Sequence, residues 1–242
     1  MVTTTVLVLG ATGRTGRLVV EQLVQNGDHV KAVVRSAKKI PAWIRNHNGI
    51  QVVEGQLLNL SLDEIREIVS GCDAAVSCLG HVISWKGIFG PPRDLVSQSV
   101  QKVCRAIQAN SPPVPVKFAL MGSVSVNFSP ETDSIRSGIE KWFLAALQAL
   151  VPPVRDNQSA ADFLLHEIGV SDPILEWVVV RPDTLQNGEI SEYTVQDKLI
   201  HTLWKPGHTR RANVADFMCN LLSDQNLWNR WRGKMPTILN AK

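Results

Sequence analysis

The sequence predicts an α/β fold: a doubly wound parallel sheet with a small cap at its carboxyl edge. Three observations predict it. Short, continuous apolar runs alternate with amphipathic helical patterns, the rhythm of βαβ units. Glycines stand where those helices should stop. The length of 242 residues, with 44% hydrophobic and 19% charged residues, fits one large domain able to bury a core without disulfides or metal.

The elements follow in order. Val6 to Leu9 is an uninterrupted apolar run, as expected of a strand covered on both faces. Gly16, Val20, Leu23 and Val24 then recur at helical spacing, and Gly27 caps that helix. Val30 to Val34 and Ile50 to Val53 read as the second and third strands. Ser61 caps a helix reaching Val69, closed by Gly71. Ala74 to Leu79 is the fourth strand. Asp94 stands as an N-cap before a helix striped by Val96, Val100, Val103 and Ile107. Lys117 to Met121 and Glu176 to Arg181 are the fifth and sixth strands, the latter stopped by Pro182. Asn213 opens a late helix through Val214, Phe217, Met218 and Leu221, and a last strand is expected at Thr237 to Leu239.

Two segments break the rhythm. Residues 124–155 hold an extra amphipathic stretch, with Ile135, Ile139, Trp142, Phe143, Ala146 and Leu150 on one side. Residues 183–212 are polar, with one β-like stretch near Glu192 to Val195. Both follow strand carboxyl ends, where open α/β sheets bind ligands, so both are expected to form the cap. The whole chain, 1–242, is expected to be a single unit.

Composition excludes several classes. No apolar run reaches the length of a membrane span, and the start lacks the basic region of a secretory signal. The expectation is a cytoplasmic protein. Cys72, Cys78, Cys104 and Cys219 show no metal-ligand spacing, and the six histidines form no HxxxH pair, so no metal is expected. The net charge of +3 is uneven. Residues 201–242 carry seven Lys/Arg against two Asp/Glu, whereas the first 200 residues carry 18 against 20. Such a tail reads as solvated surface rather than a nucleic-acid or membrane contact.

The strongest motif is Gly10-Ala11-Thr12-Gly13-Arg14-Thr15-Gly16, set between a buried strand and an amphipathic helix. Gly10 permits the tight turn, Gly13 lets backbone approach a diphosphate, and Gly16 lets the helix pack close to the sheet. The free amides at the helix start then favour phosphate. An acid at the end of the second strand would bind the ribose hydroxyls of NAD. This chain has Arg35 followed by Ser36 there, with Lys38 close behind, which favours the 2′-phosphate of NADP.

The glycine turn, the strand end Val33-Val34-Arg35, the run Gly71 to Gly80, Met121-Gly122-Ser123 and Val179-Val180-Arg181-Pro182 together resemble the atypical short-chain dehydrogenase/reductases. The closest flavour is the NmrA-like group that includes flavin reductase and biliverdin-IXβ reductase. The resemblance implies a Rossmann domain with NADP across the strand ends. It places Thr12, Gly13, Arg14, Thr15 and Gly16 on the phosphates, and Arg35 with Ser36 on the 2′-phosphate. Leu79 and Gly80 would lie by the adenosine ribose, Ser123 by the nicotinamide, and Pro182, Asp183 and Thr184 against its far side. Where relatives carry Gly-Asp on the adenine, this chain has Gly55-Gln56, whose amide oxygen can accept in its place.

The superfamily's Tyr/Lys proton relay is missing. The only tyrosine, Tyr193, has Asp197 where the lysine should stand, and the matching helix reads Gln158 and Asp162. That counts against alcohol dehydrogenation and sugar epimerisation but not against hydride transfer to a conjugated acceptor. Ser123 and His81 are the remaining catalytic candidates, with Ser125 behind them. Trp85, Phe89, Trp142 and Phe143 are candidates for an aromatic wall. Three functions stay open: an NADPH-dependent reductase of a small planar acceptor such as a flavin or quinone, a non-catalytic NADP-sensing protein, and an isomerase or dehydratase.

Overall fold

The structure is a computed structural model and describes residues 3–81 and 84–241. The chain runs β1 (Thr5–Leu9), α1 (Arg14–Gln25), β2 (His29–Val34), α2 (Ala42–Arg45), β3 (Ile50–Glu54), α3 (Leu62–Val69), β4 (Ala74–Ser77), α4 (Trp85–Phe89) and α5 (Leu95–Asn110). It continues through β5 (Val116–Met121), α6 (Gly138–Leu150), α7 (Pro152–Asp162), β6 (Leu175–Pro182), β7 (Thr184–Gln186) and β8 (Tyr193–Gln196). It closes with β9 (His208–Arg210), α8 (Arg211–Ser223), α9 (Gln225–Trp231) and β10 (Thr237–Asn240). Phe163–Ile168 widens the end of α7 into a π-turn.

The main sheet has the order β3-β2-β1-β4-β5-β6-β10-β8. Its neighbours pair in parallel except β8, which runs antiparallel to β10 at the edge. The sheet is therefore doubly wound and Rossmann-like. Period-two alternation builds the two cores. Along β1, Val6 and Val8 face one side with α1, α8 and α9, whereas Leu7 and Leu9 face the other with α3, α5 and α7. Both faces of β1 are buried, which explains its uninterrupted apolar run. The expected strands and the β10 strand are all present. β7 and β9 form a separate parallel pair, and with α9 they carry no strong sequence signal.

Caps show where local chemistry fixes the chain. Ser61 and Glu64 form a capping box at α3, and Ser137 with Glu140 forms one at α6. Gly27 and Gly71 adopt φ of +87° and +68° just past their helices.

Two expectations need correction, and the structure orients one amphipathic stretch. Asp94 precedes α5, but its side chain makes no capping bond. The carboxylate of Asp156, from α7, accepts from the Val96 and Ser97 amides instead, at 2.7 and 2.9 Å. The apolar stripe of α6 does not pack inward. Ile135, Ile139, Trp142 and Leu150 are exposed, Trp142 by 74%, whereas Glu140 and Leu144 are buried. Glu140 turns inward because its carboxylate accepts from the Ser137 and Leu203 amides, which fixes the opposite rotation of the helix. The late helix begins at Arg211, two residues before Asn213.

Candidate cofactor cleft

A cleft of about 500 Å³ opens at the carboxyl edge of the sheet. Its floor is the glycine turn, through Leu9, Gly10, Thr12 and Gly13. One wall is the end of β2 with Arg35, and the segment Gly55 to Asn59. The opposite wall is Cys78, Leu79 and Gly80 with Pro91, Pro92 and the start of α5.

The turn owes its shape to its glycines. Gly10 has φ +77°, and a Cβ there would stand 2.7 Å from the Cys78 carbonyl oxygen. A Cβ on Gly16 would stand 2.2 Å from the Gly10 oxygen. Both contacts are with backbone that cannot yield. The Gly13 amide donates to the Gly10 oxygen at 2.8 Å, which closes the turn. Gly13 caps α1 with no side-chain bond, so the first amides of α1 keep their hydrogens for a ligand. Thr12, Gly13 and Arg14 are exposed, whereas Thr15 and Gly16 are buried and offer only backbone amides. A Cβ on Gly80 would meet nothing within 4 Å, so the space over it is open.

Of the residues expected on one dinucleotide, Gly10, Thr12, Gly13, Arg35, Gln56, Leu79 and Gly80 line this cleft. Arg35 is exposed on the cleft wall, and Ser36 precedes a short 3₁₀ turn with its hydroxyl outside any cap bond. Gln56 is exposed beside them, its amide oxygen 3.5 Å from Asn59 Nδ2. Ser123 and Pro182 lie outside this cleft. They are joined to each other because the Val124 amide donates to the Pro182 oxygen at 3.1 Å. Pro182 is buried and pairs with Ile238 of β10.

The catalytic candidates are committed elsewhere. The Ser123 hydroxyl shares a 2.5 Å bond with Ser125, and it also accepts from the Ser125 amide. His81 Nε2 lies 2.8 Å from Asp156 Oδ2. Burial pushes the Asp156 carboxyl up, but His81, the Ser97 hydroxyl and two α5 amides outweigh it and hold it below its ordinary value. His81 is thus tied into a buried carboxylate that organises α5, a role its position in the sequence does not signal.

Gln158 bonds to Asp162 at 2.8 Å and to the Asn127 amide at 2.8 Å, bracing α7. Tyr193 donates to Asp216 at 2.6 Å, and burial with that carboxylate raises its pKa well above the ordinary phenol. A phenol so held gives up its proton reluctantly. Asp183 accepts from the Gly207 amide at 2.8 Å, and Asp73 from the Thr5 amide at 2.8 Å, away from the cleft. The four cysteines are buried free thiols, and burial lifts Cys72 to about 11 and Cys78 to about 12. No cluster of three metal-ligating side chains occurs among the described residues. No helix among them is long and apolar enough to cross a membrane.

Sequence reasoning missed a polar network beneath the strand ends. Arg181 is fully buried in β6 and donates to Asp133 at 2.8 Å, to the Val126 oxygen at 3.0 Å and to the Met235 oxygen at 2.7 Å. Arg136 donates to Asn127 and to the Val124 oxygen. Together they fix the segment after β5 that carries Ser123. The signal available was an arginine inside an otherwise apolar strand.

The aromatic candidates separate. Trp85 and Phe89 lie 4.8 Å apart on α4, with Trp85 82% exposed. Phe143 packs on Trp204 at 5.3 Å, and Trp142 points to solvent from α6.

A doubly wound sheet with a glycine turn opening on a helix start is the architecture of a dinucleotide-binding protein. The chain belongs to the NAD(P)H-binding family, whose model matches residues 10–225. An uncharacterized chloroplastic protein of Arabidopsis thaliana is 26% identical over 206 residues, covering 82% of this chain and 71% of its own. Among solved structures, a short-chain dehydrogenase/reductase from Veillonella parvula in complex with NADP superposes with a TM-score of 0.72 at 15% identity. That match covers 99% of this chain and 95% of the other. An anaerobillin reductase from Escherichia coli O157:H7 superposes with a TM-score of 0.70 at 18% identity, covering 99% and 98%.

Proposed function

We propose that the protein is an NADP(H)-dependent reductase of a small planar acceptor of the flavin, quinone or open-chain tetrapyrrole kind. One observation carries the cofactor half of this reading. Arg35 stands exposed on the cleft wall where an NAD enzyme places an acid, and its guanidinium matches a 2′-phosphate in charge and geometry. In this reading the amides of residues 14–16 hold the diphosphate, with Thr12, Gly13 and the Arg14 side chain at its rim. Arg35 and Ser36 take the 2′-phosphate, Gln56 accepts from the adenine amino group, and Leu79 with Gly80 flanks the ribose. Ser123 and the Pro182 backbone face the nicotinamide, which supplies the hydride when bound.

The protein's own contribution is orientation. The Ser123–Ser125 pair offers a polar rim at the nicotinamide end. Trp85 and Phe89 give the acceptor an aromatic platform, supported by their exposure on α4, which precedes the cleft-lining Pro91 and Pro92. With Tyr193 and His81 both bound to carboxylates, the proton for the reduced acceptor comes from water. Residues 124–155 and 183–212 form the cap over the acceptor within a single domain spanning 1–242. The anaerobillin reductase neighbour supports an extended conjugated acceptor.

A second reading, a non-catalytic NADP sensor, is favoured by the exposed apolar stripe of α6 and the missing relay. Two measurements separate the readings. Steady NADPH oxidation with any acceptor from a flavin, quinone and bilin panel supports the reductase; cofactor binding without turnover supports the sensor. Arg35→Glu should weaken NADPH binding roughly 10- to 100-fold and leave NADH near its original affinity. Unchanged selectivity would overturn the NADP assignment.

A further inference from the structure

Two helices begin side by side at the carboxyl edge. α1 opens with Arg14 and α8 with Arg211, and neither has an acid in its first turn. They run together over one face of the sheet. Val19, Val20 and Leu23 share a core with Val214, Met218 and Leu222, and Cys219 Sγ lies 3.8 Å from the Val19 oxygen. Two guanidiniums and the positive ends of two helix dipoles therefore stand at the same edge of the sheet.

Arg211 is half-buried and oriented: its Nη1 donates to Asn187 Oδ1 at 2.9 Å, in the segment after β7. Burial lowers its pKa, and the charge of Arg14 lowers it further, as expected of like charges in proximity. Arg14 is exposed beside it. Neither makes an ion pair with a carboxylate among the described residues. The side chain of the adjacent Arg210 donates to the Glu189 backbone oxygen at 3.4 Å. Two cations held together without an acid repel, and an anion between them turns that repulsion into attraction.

We infer that Arg14 and Arg211 form an anion clamp that takes a phosphate or carboxylate group at the junction of the glycine turn and the segment after β7. Arg14 belongs to the cofactor reading above; the new element is Arg211, which extends the site toward the acceptor. The anion has two possible sources, the diphosphate of the cofactor or an acidic group on the acceptor. Either way the clamp makes one ligand of this site anionic on the α8 side.

The first test needs neither cofactor nor turnover, so it stands apart from the reductase reading. Inorganic pyrophosphate is titrated into the full chain while thermal stability is followed, for wild type, Arg211→Gln and the remote control Arg230→Gln. The wild type and the control should be stabilised alike. Arg211→Gln should need about tenfold more pyrophosphate for the same shift. Without ligand it should melt no lower than wild type, because relief of repulsion offsets the lost Asn187 bond. The second test locates the source. A matched loss of NADPH and NADH affinity in Arg211→Gln assigns the clamp to the cofactor diphosphate. Unchanged cofactor affinity with a raised KM for FMN, but not for riboflavin, assigns it to the acceptor. Unchanged pyrophosphate binding in Arg211→Gln overturns the clamp, even if the chain oxidises NADPH.

Discussion

Asp156→Ala should be among the most damaging single substitutions outside the cleft. The Asp156 carboxylate is wholly inaccessible to solvent. One oxygen accepts from the Val96 amide at 2.7 Å and lies 2.8 Å from His81 Nε2. The other accepts from the Ser97 amide at 2.9 Å and the Ser97 hydroxyl at 2.6 Å. Alanine removes the cap of α5 and strands its amides beneath α7. Loss of an N-cap costs about 1 kcal/mol. Breaking a buried charged network costs roughly 3–5 kcal/mol in all. At this chain length that lowers Tm by roughly 6–20 °C. Circular dichroism melts at pH 7 read the effect.

The pH dependence carries a second check. The folded carboxyl titrates below its unfolded value. Its contribution is therefore complete above the unfolded pKa, about 3.9, and disappears as pH falls through the lower folded value. The wild type and Asp156→Ala should differ at pH 7 and converge below about pH 4. A melt within 1 °C of wild type, or a difference that persists unchanged into acid, would refute this account of α5.

Two further outcomes follow from the same geometry. Gly16→Ala drives a Cβ to 2.2 Å from the Gly10 oxygen, so the turn must open; NADPH binding should fall at least tenfold, read by fluorescence titration. Tyr193→Phe removes the bond to Asp216 and should cost about 1–2 kcal/mol in urea denaturation; under the proposed reductase function, in which water supplies the proton, kcat should stay unchanged.

Much of the framework is legible in the sequence because each signal there is local. Val6 to Leu9 is covered on both faces, so its pattern alone places it in a parallel sheet. Gly10, Gly13 and Gly16 act within one turn, and Ser61 with Glu64 caps its own helix. The unread parts depend on distant partners. Nothing near Asp94 shows that α5 is capped by a residue some sixty positions later. The stripe of Ile139 and Trp142 turns to solvent, because hydrophobic periodicity does not encode which face a helix turns to the core. Its opposite side holds Glu140, whose partner is the Leu203 amide. Arg181 reads as a strand-end residue until Asp133 and Arg136 are folded beneath it. The β7–β9 pair is short and polar, with pairing set by the surrounding chain rather than by propensity.

The position of β10 constrains how the molecule comes into being. β10 sits between β6 and β8, which do not pair with each other. During synthesis β6 therefore waits with an open edge, and β8 has no strand to join until residues near Thr237 emerge. The half of the sheet that holds Pro182 matures last, while β1 to β5 can assemble early from neighbours already made. Pairings separated by such long stretches of chain form slowly, and the exposed β6 edge is the point at which a stalled or shortened chain is open to aggregation.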